Sequence, residues 1–338
     1  MILIISLAGD LSTNEVIEWL LLFKKDVIRI NREDRVTITK INFNGRQPEA
    51  YFQINDGKLY CTNEITAFWY RRGDIMLQGR HDEKMDIPEG DLKSLITSNL
   101  MDDAKDIRDL LYYLTERKSI SFGSFHTKDN NKLIHLQEAK KCGILTPETI
   151  VCSFRKDLYH FIQASPNGII TKPLTNSAFY IKKERSKKNR YFAQFASEVK
   201  KEDLSFLPEQ FYPTLLQQKI NKKFELRIFY LKGSFYSMAI FSQKDEKTKV
   251  DFRRYNRDKQ NYRIPFELPV ILKRKLKRFM NSVHLQTGSI DMIYSTDNQY
   301  YFLEVNPVGQ FGMVSYPCNL KLEKRIAIAL SGGKKSLF

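Results

Sequence analysis

The sequence has 338 residues, 42% of them hydrophobic and 28% charged, and this composition is typical of a soluble globular protein. It excludes disordered and collagen-like proteins, and no apolar run approaches the roughly 18 residues of a membrane span. The net charge of +16 predicts a surface that attracts anions, such as nucleic acid, nucleotide phosphates or an acidic polypeptide. For any single basic run, solvated surface lysine is the alternative.

The N-terminus and the cysteines indicate the compartment. MILIISLAGD at 1–10 is apolar from its first residue and lacks a basic leading region, so we expect a first strand and a cytoplasmic protein without a signal peptide. The four cysteines are scattered without a C-x-x-C pair, which favours reduced thiols over a zinc ribbon or a disulfide framework.

Residues 1–118 are predicted to form an N-terminal α/β domain. MILIISL is a short buried strand, TNEVIEWLLLF at 13–23 has helical spacing, and DVIRIN at 26–31 is a second strand. The region carries no G-x-G-x-x-G, so it does not support a dinucleotide site. Residues 91–115 have the apolar spacing of one long helix or two.

Residues 119–213 are predicted to form a central domain. A Ser-, Gly- and Asn-rich loop at 121–131 precedes a helix that ends near Gly143, and Pro147 leads into a strand. The polar run KKERSKKNR at 182–190 is typical of an exposed loop or hairpin tip.

Strands dominate the predicted C-terminal domain, residues 214–338. The predicted strand segments and the amphipathic helix that follows them are TLLQQKI at 214–220, ELRIFYLKGSFYSMAIFSQ at 225–243, SIDMIYSTDNQYYFLEVN at 289–306 and CNLKLEKRIAIAL at 318–330. Hairpin turns are expected at Lys232-Gly233 and at 296–299.

Three oxygen donors lie on the last two predicted strands. Glu304 and Asn306 are two residues apart, so they share one face of a strand, and pairing through the tight turn brings Asp291 opposite them. Two carboxylates and an amide, with no His or Cys nearby, suit magnesium shared with substrate phosphates. A strand with a polar end explains this segment equally well when the segment is taken alone.

Three cations occur where a buried strand or a helix start is predicted. Lys172 ends the strand GIITKPL, where a buried lysine needs an anion, and Lys132 opens a helix. Arg227 lies within ELRIFYL on the same side as Glu225, and a guanidinium there usually binds a carboxylate or phosphate. The alternatives are surface lysines and, for Arg227, an ion pair with Glu225 or across the sheet.

The order of six motifs along the chain resembles that of ATP-grasp proteins. They are Lys132, Lys172 in IITKPL, LLQQKI at 215–220, ELR at 225–227, SID at 289–291 and FLEVNPVGQ at 302–310. More narrowly, FLEVNPVGQFG, the WYRR of residues 69–72 and the SQ…DFR segment resemble the maturases that make graspetides, relatives of the microviridin ligases, of the grasp-with-spasm type. The resemblance spans about residues 1–330 and implies an α/β (α+β) fold with a pre-ATP-grasp domain, a lid subdomain and a C-terminal antiparallel-sheet subdomain.

The resemblance also implies roles for individual residues. It assigns the nucleotide phosphates to Lys132 and Lys172, adenine to the linker Gln217, Gln218, Lys219 and Ile220, two magnesium ions to Asp291, Glu304 and Asn306, and the transferred phosphoryl group to Arg227. The lid differs from the glycine-rich loop of many relatives, since PLTNSAF offers Thr175, Asn176 or Ser177 as phosphate donors instead.

The implied reaction transfers the γ-phosphoryl group of ATP to a carboxylate, and an amine or hydroxyl then attacks the acyl phosphate. In the graspetide branch the carboxylate is an Asp or Glu side chain of a ribosomal precursor with a leader and an acidic core. A Thr, Ser or Lys side chain of the same peptide closes an ester or amide ring. Related enzymes often dimerise, so a homodimer is one assembly that the resemblance allows.

Arg253 and Arg254 are candidates for a clamp on the peptide carboxylate, and a solvated hairpin with local pairing to Asp251 is the alternative. None of the five histidines falls in a motif, so no general base is identified for a hydroxyl nucleophile.

Two other functions are considered for the whole chain. One is an ATP-grasp ligase that adds free amino acids to a protein or small molecule. The other is a basic nucleic-acid-binding protein, which the spacing of the aromatic residues at core positions disfavours. A catalytically dead scaffold is disfavoured because the three metal donors and both lysines are present.

Overall fold

The computed structural model describes residues 1–78, 90–128, 131–175, 195–243, 249, 251 and 260–333, together with the backbone of 178–181 and 190–193. The chain clusters into two compact units. Unit 1 contains Met1–Lys128, Gln310–Ser315 and Lys321–Phe338, and unit 2 contains Asp129–Gly309 and Tyr316–Leu320. Within the described ranges, no helix has the length and apolar character needed to cross a membrane.

Unit 1 is an α/β unit with two sheets. Its strands are β1 (Ile2–Ser6), β2 (Val27–Asn31), β3 (Arg35–Asn42), β4 (Glu49–Ile54), β5 (Leu59–Cys61), β6 (Ala67–Tyr70), β7 (Met76–Leu77) and β8 (Ile120–Phe122). Its helices are α1 (Leu11–Leu22), α2 (Asp91–Glu116), α6 (Gly312–Ser315) and α7 (Leu322–Leu330). One sheet is parallel with the order β2-β1-β6-β8, and the other has the order β5-β4-β3-β7.

The predicted βαβ start is confirmed. All five residues of β1 are buried, as expected for the inner strand of a parallel sheet. Asp10 caps α1 by accepting a hydrogen bond from the Thr13 N–H. The predicted helix at 91–115 is also observed as one element, α2. The last helix begins at Leu322, four residues later than the predicted start, because Asn319 and Lys321 have left-handed backbone angles that interrupt a helix.

Unit 2 contains a small and a large sheet. Its elements are α3 (Lys132–Lys141), β9 (Thr149–Phe154), α4 (Arg155–Gln163), β10 (Ile169–Thr171), β11 (Ala178–Ile181), β12 (Arg190–Ala193), β13 (Ser197–Val199), β14 (Gln210–Gln218), β15 (Lys222–Leu231), β16 (Ser234–Phe241), β17 (Tyr262–Pro265), α5 (Val270–Ser282), β18 (Thr287–Ser295) and β19 (Tyr300–Asn306). The small sheet has the order β13-β10-β14-β9, and β11 pairs with β12. As predicted, Gly143 follows α3 with a left-handed backbone, φ +72°.

The large sheet is antiparallel with the order β17-β16-β15-β18-β19. Its predicted turn at Lys232-Gly233 has positive φ at both central residues, as a tight hairpin requires. One face packs against α3 and α5 through apolar side chains, including Leu226, Ile290 and Phe302. Because side chains alternate along a strand, Glu225, Arg227 and Asp291 lie on the opposite face.

Candidate functional site

The strand register brings the three predicted metal donors together. Asp291 lies opposite Glu304 on β19 and opposite Arg227 on β15, while Asn306 lies opposite Ser289. Residues directly opposite each other in an antiparallel pair share one face, so Asp291, Glu304 and Asn306 form a polar edge across two neighbouring strands.

A β-bulge makes this arrangement possible. The register shifts after Asp291, so that Met292 pairs with Phe302 and Leu303 has no partner in the ladder. Phe302 and Val305 are three residues apart, and a regular strand would place them on opposite faces. Because Leu303 is the extra residue, Phe302 and Val305 are both fully buried in the core. Glu304 instead lines a cleft that is described below.

Arg227 binds Asp291 across the strands. The guanidinium Nη1 lies 2.6 Å from Oδ1 and 2.5 Å from Oδ2 of Asp291, and both residues are buried. Of the alternatives for Arg227, the structure shows the cross-sheet ion pair, while Glu225 pairs with Lys222 instead. Asp291 therefore has a cation beside it, and so does the neighbouring carboxylate, Glu304.

The cation beside Glu304 is Lys132, the first residue of α3. Its Nζ lies 3.3 Å from Glu304 Oε2 and donates a hydrogen bond to the Pro173 carbonyl at 2.7 Å. Lys132 is only 6% exposed, so it is not a solvated surface lysine. It links the polar edge to the segment that directly follows Lys172.

The cap of α3 holds Lys132 in this position. Asn131 Oδ1 accepts a hydrogen bond from the Ile134 N–H at 3.2 Å. We expect Asn131→Ala to lower the free energy of unfolding by about 1 kcal/mol, as loss of a helix cap does. Asn131→Asp keeps the acceptor and should retain most of the stability in urea denaturation. Equal stability of the Ala and Asp variants would contradict the role of the cap.

Asn306 has a structural partner as well. Its Oδ1 accepts a hydrogen bond from the Val308 N–H at 3.0 Å, which fixes the turn that ends β19. A Cβ on Gly309 would lie 2.3 Å from the Ser289 side chain, so the turn requires glycine there. An amide oxygen has two lone pairs, and Asn306 therefore keeps one for a metal.

A cleft opens beside the polar edge. Its lining includes the predicted Lys172, Gln217, Gln218, Lys219, Ile220, Asp291 and Glu304, and also Pro147, Lys222, Glu225, Gln243 and Asp251. The backbone N–H groups of Gln218 and Lys219 donate to the carbonyls of Glu148 and Gly168, and the Lys219 side chain pairs with Glu198. These bonds hold the linker in place along the cleft wall.

Glu225 is a titratable group in the cleft that sequence reasoning did not assign to the site. Burial is the main cause that raises the pKa of its carboxyl to about 7; Lys222 acts in the opposite direction, and Asp251 and Asp291 add to the increase. Its Oε2 is buried and has no hydrogen-bond partner among the described residues. The only signal in the sequence was its spacing of two from Arg227.

The raised pKa predicts a pH effect on stability. Between pH 4.5 and about 7 the folded protein keeps a proton on Glu225 that the unfolded chain has lost, so this group's contribution to stability decreases as pH rises through that window. We expect Glu225→Gln to show a smaller decrease of the free energy of unfolding over this range. Urea denaturation at several pH values measures it, and identical slopes for both proteins would contradict the assignment.

Other predicted residues fall elsewhere. Arg253 and Arg254, like Asn176 and Ser177, lie outside the described residues, so their predicted roles stay predictions. Across the described part of the chain, no group of three or more His, Cys, Asp or Glu side chains is arranged to hold a metal ion. The predicted donor set includes an amide and does not depend on such a group.

The residues after the turn belong to unit 1. Gln310 Oε1 accepts a hydrogen bond from Arg71 Nη2 at 3.1 Å, and Phe311 is buried against Trp69, with ring centroids 6.3 Å apart. Arg71 is itself buried and ion-paired with Asp10. The WYRR segment therefore anchors the chain that follows β19.

No protein-family model matches the chain, and no curated protein sequence does. Similar solved structures include the macrocyclase MdnC of Microcystis aeruginosa MRC bound with precursor peptide MdnA, with 26% identity, a TM-score of 0.74 and coverage of 98% of this chain and 99% of that one. A RiPP-associated ATP-grasp ligase of Chryseobacterium gregarium, in complex with ADP and a leader and core peptide, has 25% identity, a TM-score of 0.74 and coverage of 98% and 95%.

A third similar structure, the macrocyclase MdnB of Microcystis aeruginosa MRC, has 20% identity, a TM-score of 0.70 and coverage of 98% and 99%. The likeness in each case extends over nearly the whole length of both chains. The α/β ATP-grasp fold predicted from the sequence is therefore confirmed, as is the predicted likeness to the ATP-grasp maturases of ribosomal peptides.

Proposed function

We propose that the protein is an ATP-dependent ligase that closes macrocycles in a ribosomal precursor peptide. The observation that carries the proposal is the cleft with the polar edge Asp291, Glu304 and Asn306 at its side and the cations Lys132 and Arg227 beside it. The likeness to MdnC and to the Chryseobacterium gregarium ligase supports a precursor peptide as the substrate.

The residues present fit magnesium and a nucleotide. The polar edge offers only hard oxygen donors, which suit magnesium, and the cleft beside it is lined by both lysine and carboxylate side chains. Asp291, Glu304 and Asn306 would hold two ions, which when bound neutralise charge on the phosphates. Gln217, Gln218, Lys219 and Ile220 would bind adenine, and Gln217 Oε1 is a buried acceptor without a partner among the described residues.

The cations of the site would stabilise the charge that develops during phosphoryl transfer. We assign Lys132 and Lys172 to the phosphates and Arg227 to the transferred group, because fixed cations in a buried site act without reorganising solvent. The γ-phosphoryl group of ATP moves to an Asp or Glu carboxylate, leaving ADP. A Ser, Thr or Lys side chain then attacks the acyl phosphate and releases phosphate, giving an ester or an amide.

The remaining assignments are part of the same proposal. Arg253 and Arg254 would clamp the peptide carboxylate, and a leader segment would deliver the acidic core. The proposal includes a functional division of the chain into 1–118, 119–213 and 214–338. It also includes an ATP-dependent reaction in the cytoplasm and a homodimeric assembly, which light scattering would test.

The test is incubation of the protein with a candidate precursor peptide that has a leader and an acidic core, together with ATP and magnesium, followed by mass spectrometry. We expect the peptide to lose one water for each linkage, only when ATP and magnesium are present. A gain of amino-acid mass would identify the alternative ligase instead. Tight, salt-dependent binding of DNA or RNA without ATP turnover would support the nucleic-acid-binding alternative.

A further inference from the structure

A chain of two hydrogen bonds joins Pro147 and Gln217, which both line the cleft. Gln217 on β14 is fully buried, and its Nε2 donates to Thr149 Oγ1 on β9 at 2.8 Å. Thr149 Oγ1 also lies 2.8 Å from the carbonyl oxygen of Pro147. Gln217 and Thr149 lie directly opposite each other in the sheet, so the strand pairing itself keeps the two side chains together.

The direction of these bonds is determined by chemistry. The Pro147 carbonyl only accepts, so the Thr149 hydroxyl proton points to it. The Thr149 oxygen is then left with lone pairs on its other side and accepts a hydrogen bond from Gln217. The Gln217 atom that faces Thr149 must therefore be the Nε2 donor and not the carbonyl oxygen.

Because Nε2 faces Thr149, the Oε1 atom of Gln217 is a hydrogen-bond acceptor in a fixed position. Gln217 Oε1 is buried and has no hydrogen-bond partner among the described residues, while Gln217 and Pro147 both line the cleft. A buried acceptor without a partner favours a ligand that brings an N–H group to it. Rotating the amide by half a turn would place two lone pairs opposite each other at Thr149.

We propose that Thr149 is a positioning residue that selects the nucleotide base through Gln217. With its amide held in one orientation, Gln217 accepts from the exocyclic amine of an adenine-type base and repels the exocyclic oxygen of hypoxanthine or guanine. The inference rests on the proposed function, because it takes the cleft as the nucleotide site, and it adds the residue that sets the base preference.

The structural alternative is that Thr149 only joins β9 to β14. Loss of such a bond would weaken the binding of all nucleotides alike or lower stability, and it would leave the ratio between two bases unchanged. A role in positioning changes that ratio, since a released amide can turn its Nε2 toward a base oxygen. The ratio of affinities therefore separates the two roles.

The experiment is calorimetric titration of ADP and of inosine diphosphate, each with magnesium, into the wild-type protein, Thr149→Val and Thr149→Ser. We expect the wild type to bind ADP roughly tenfold or more tightly than inosine diphosphate, as the cost of leaving a buried acceptor unpaired implies. Thr149→Val keeps the shape but removes the hydroxyl, so its ratio should approach one. Thr149→Ser restores the hydroxyl and should keep the wild-type preference.

Equal affinity of the wild type for the two diphosphates overturns the inference, and so does an unchanged ratio in a folded Thr149→Val. If that variant does not fold, Gln217→Met replaces it as the second arm: loss of the preference supports the acceptor, and a retained preference contradicts it. Failure of the wild type to bind either nucleotide would instead contradict the proposed function itself.

Discussion

Glu304→Gln should abolish the ATP-dependent loss of water from the precursor peptide while the protein remains folded. The substitution keeps the shape of the side chain but removes the negative charge from the polar edge, where Glu304 lies opposite Asp291. Loss of one electrostatic group that acts in the transition state typically costs at least about a hundredfold in rate. The ion pair with Lys132 is also lost, and this should lower stability because Lys132 is buried, although Lys132 keeps its hydrogen bond to the Pro173 carbonyl.

The measurement is the rate of peptide dehydration by mass spectrometry, with circular dichroism as the check on folding. Glu267→Gln is the matched control, because Glu267 is an exposed carboxylate in the same unit that pairs with Lys273. It makes the same chemical change away from the cleft and should keep the wild-type rate. A wild-type rate for Glu304→Gln would show that Glu304 does not hold a required metal.

The placement of Asp291, Glu304 and Asn306 on one polar edge was predictable because the geometry of this edge is local. A turn of four residues joins β18 to β19, so the sequence alone determines which residues lie opposite each other to within a residue or so. The spacing of two between Glu304 and Asn306 then places both on one face. The bulge at Leu303 was not predictable, because it depends on how Phe302 and Val305 both fit the core against α3 and α5.

The contacts between distant segments were beyond the reach of pattern reasoning. Thr149 and Gln217 are 68 residues apart, and Lys132 meets Pro173 across 41 residues. No local periodicity encodes such pairs, since they follow from the order of strands in the sheet. The raised pKa of Glu225 was not predictable either, because it results mainly from burial of the carboxyl in the folded unit. The sequence shows only an acidic residue within an apolar strand segment.

Arg227→Met should be the most destabilising substitution in the site, and it should also abolish activity. Met replaces the guanidinium with an apolar group of similar length, which removes the Arg227 cation from beside the buried Asp291 carboxylate. Breaking a buried ion pair by removing one partner costs about 3–5 kcal/mol. Urea denaturation measures the loss, and Arg155→Met is the control: its partner Glu209 is exposed, so we expect a loss of about 1 kcal/mol or less.

The double variant Arg227→Met with Asp291→Asn separates two causes of the stability loss. One is the buried charge of Asp291 after the guanidinium is removed, and the other is the loss of packing around Arg227. Because the uncharged amide needs no cation, the double variant should be more stable than Arg227→Met alone, and a sum of two independent losses would contradict the stranded carboxylate as the cause. Magnesium provides a second test. If Asp291 binds the ion, magnesium replaces the missing cation in Arg227→Met and should raise its melting temperature more than that of the wild type. If magnesium raises the melting temperature of Arg227→Met by no more than that of the wild type, Asp291 pairs with Arg227 and does not bind the metal.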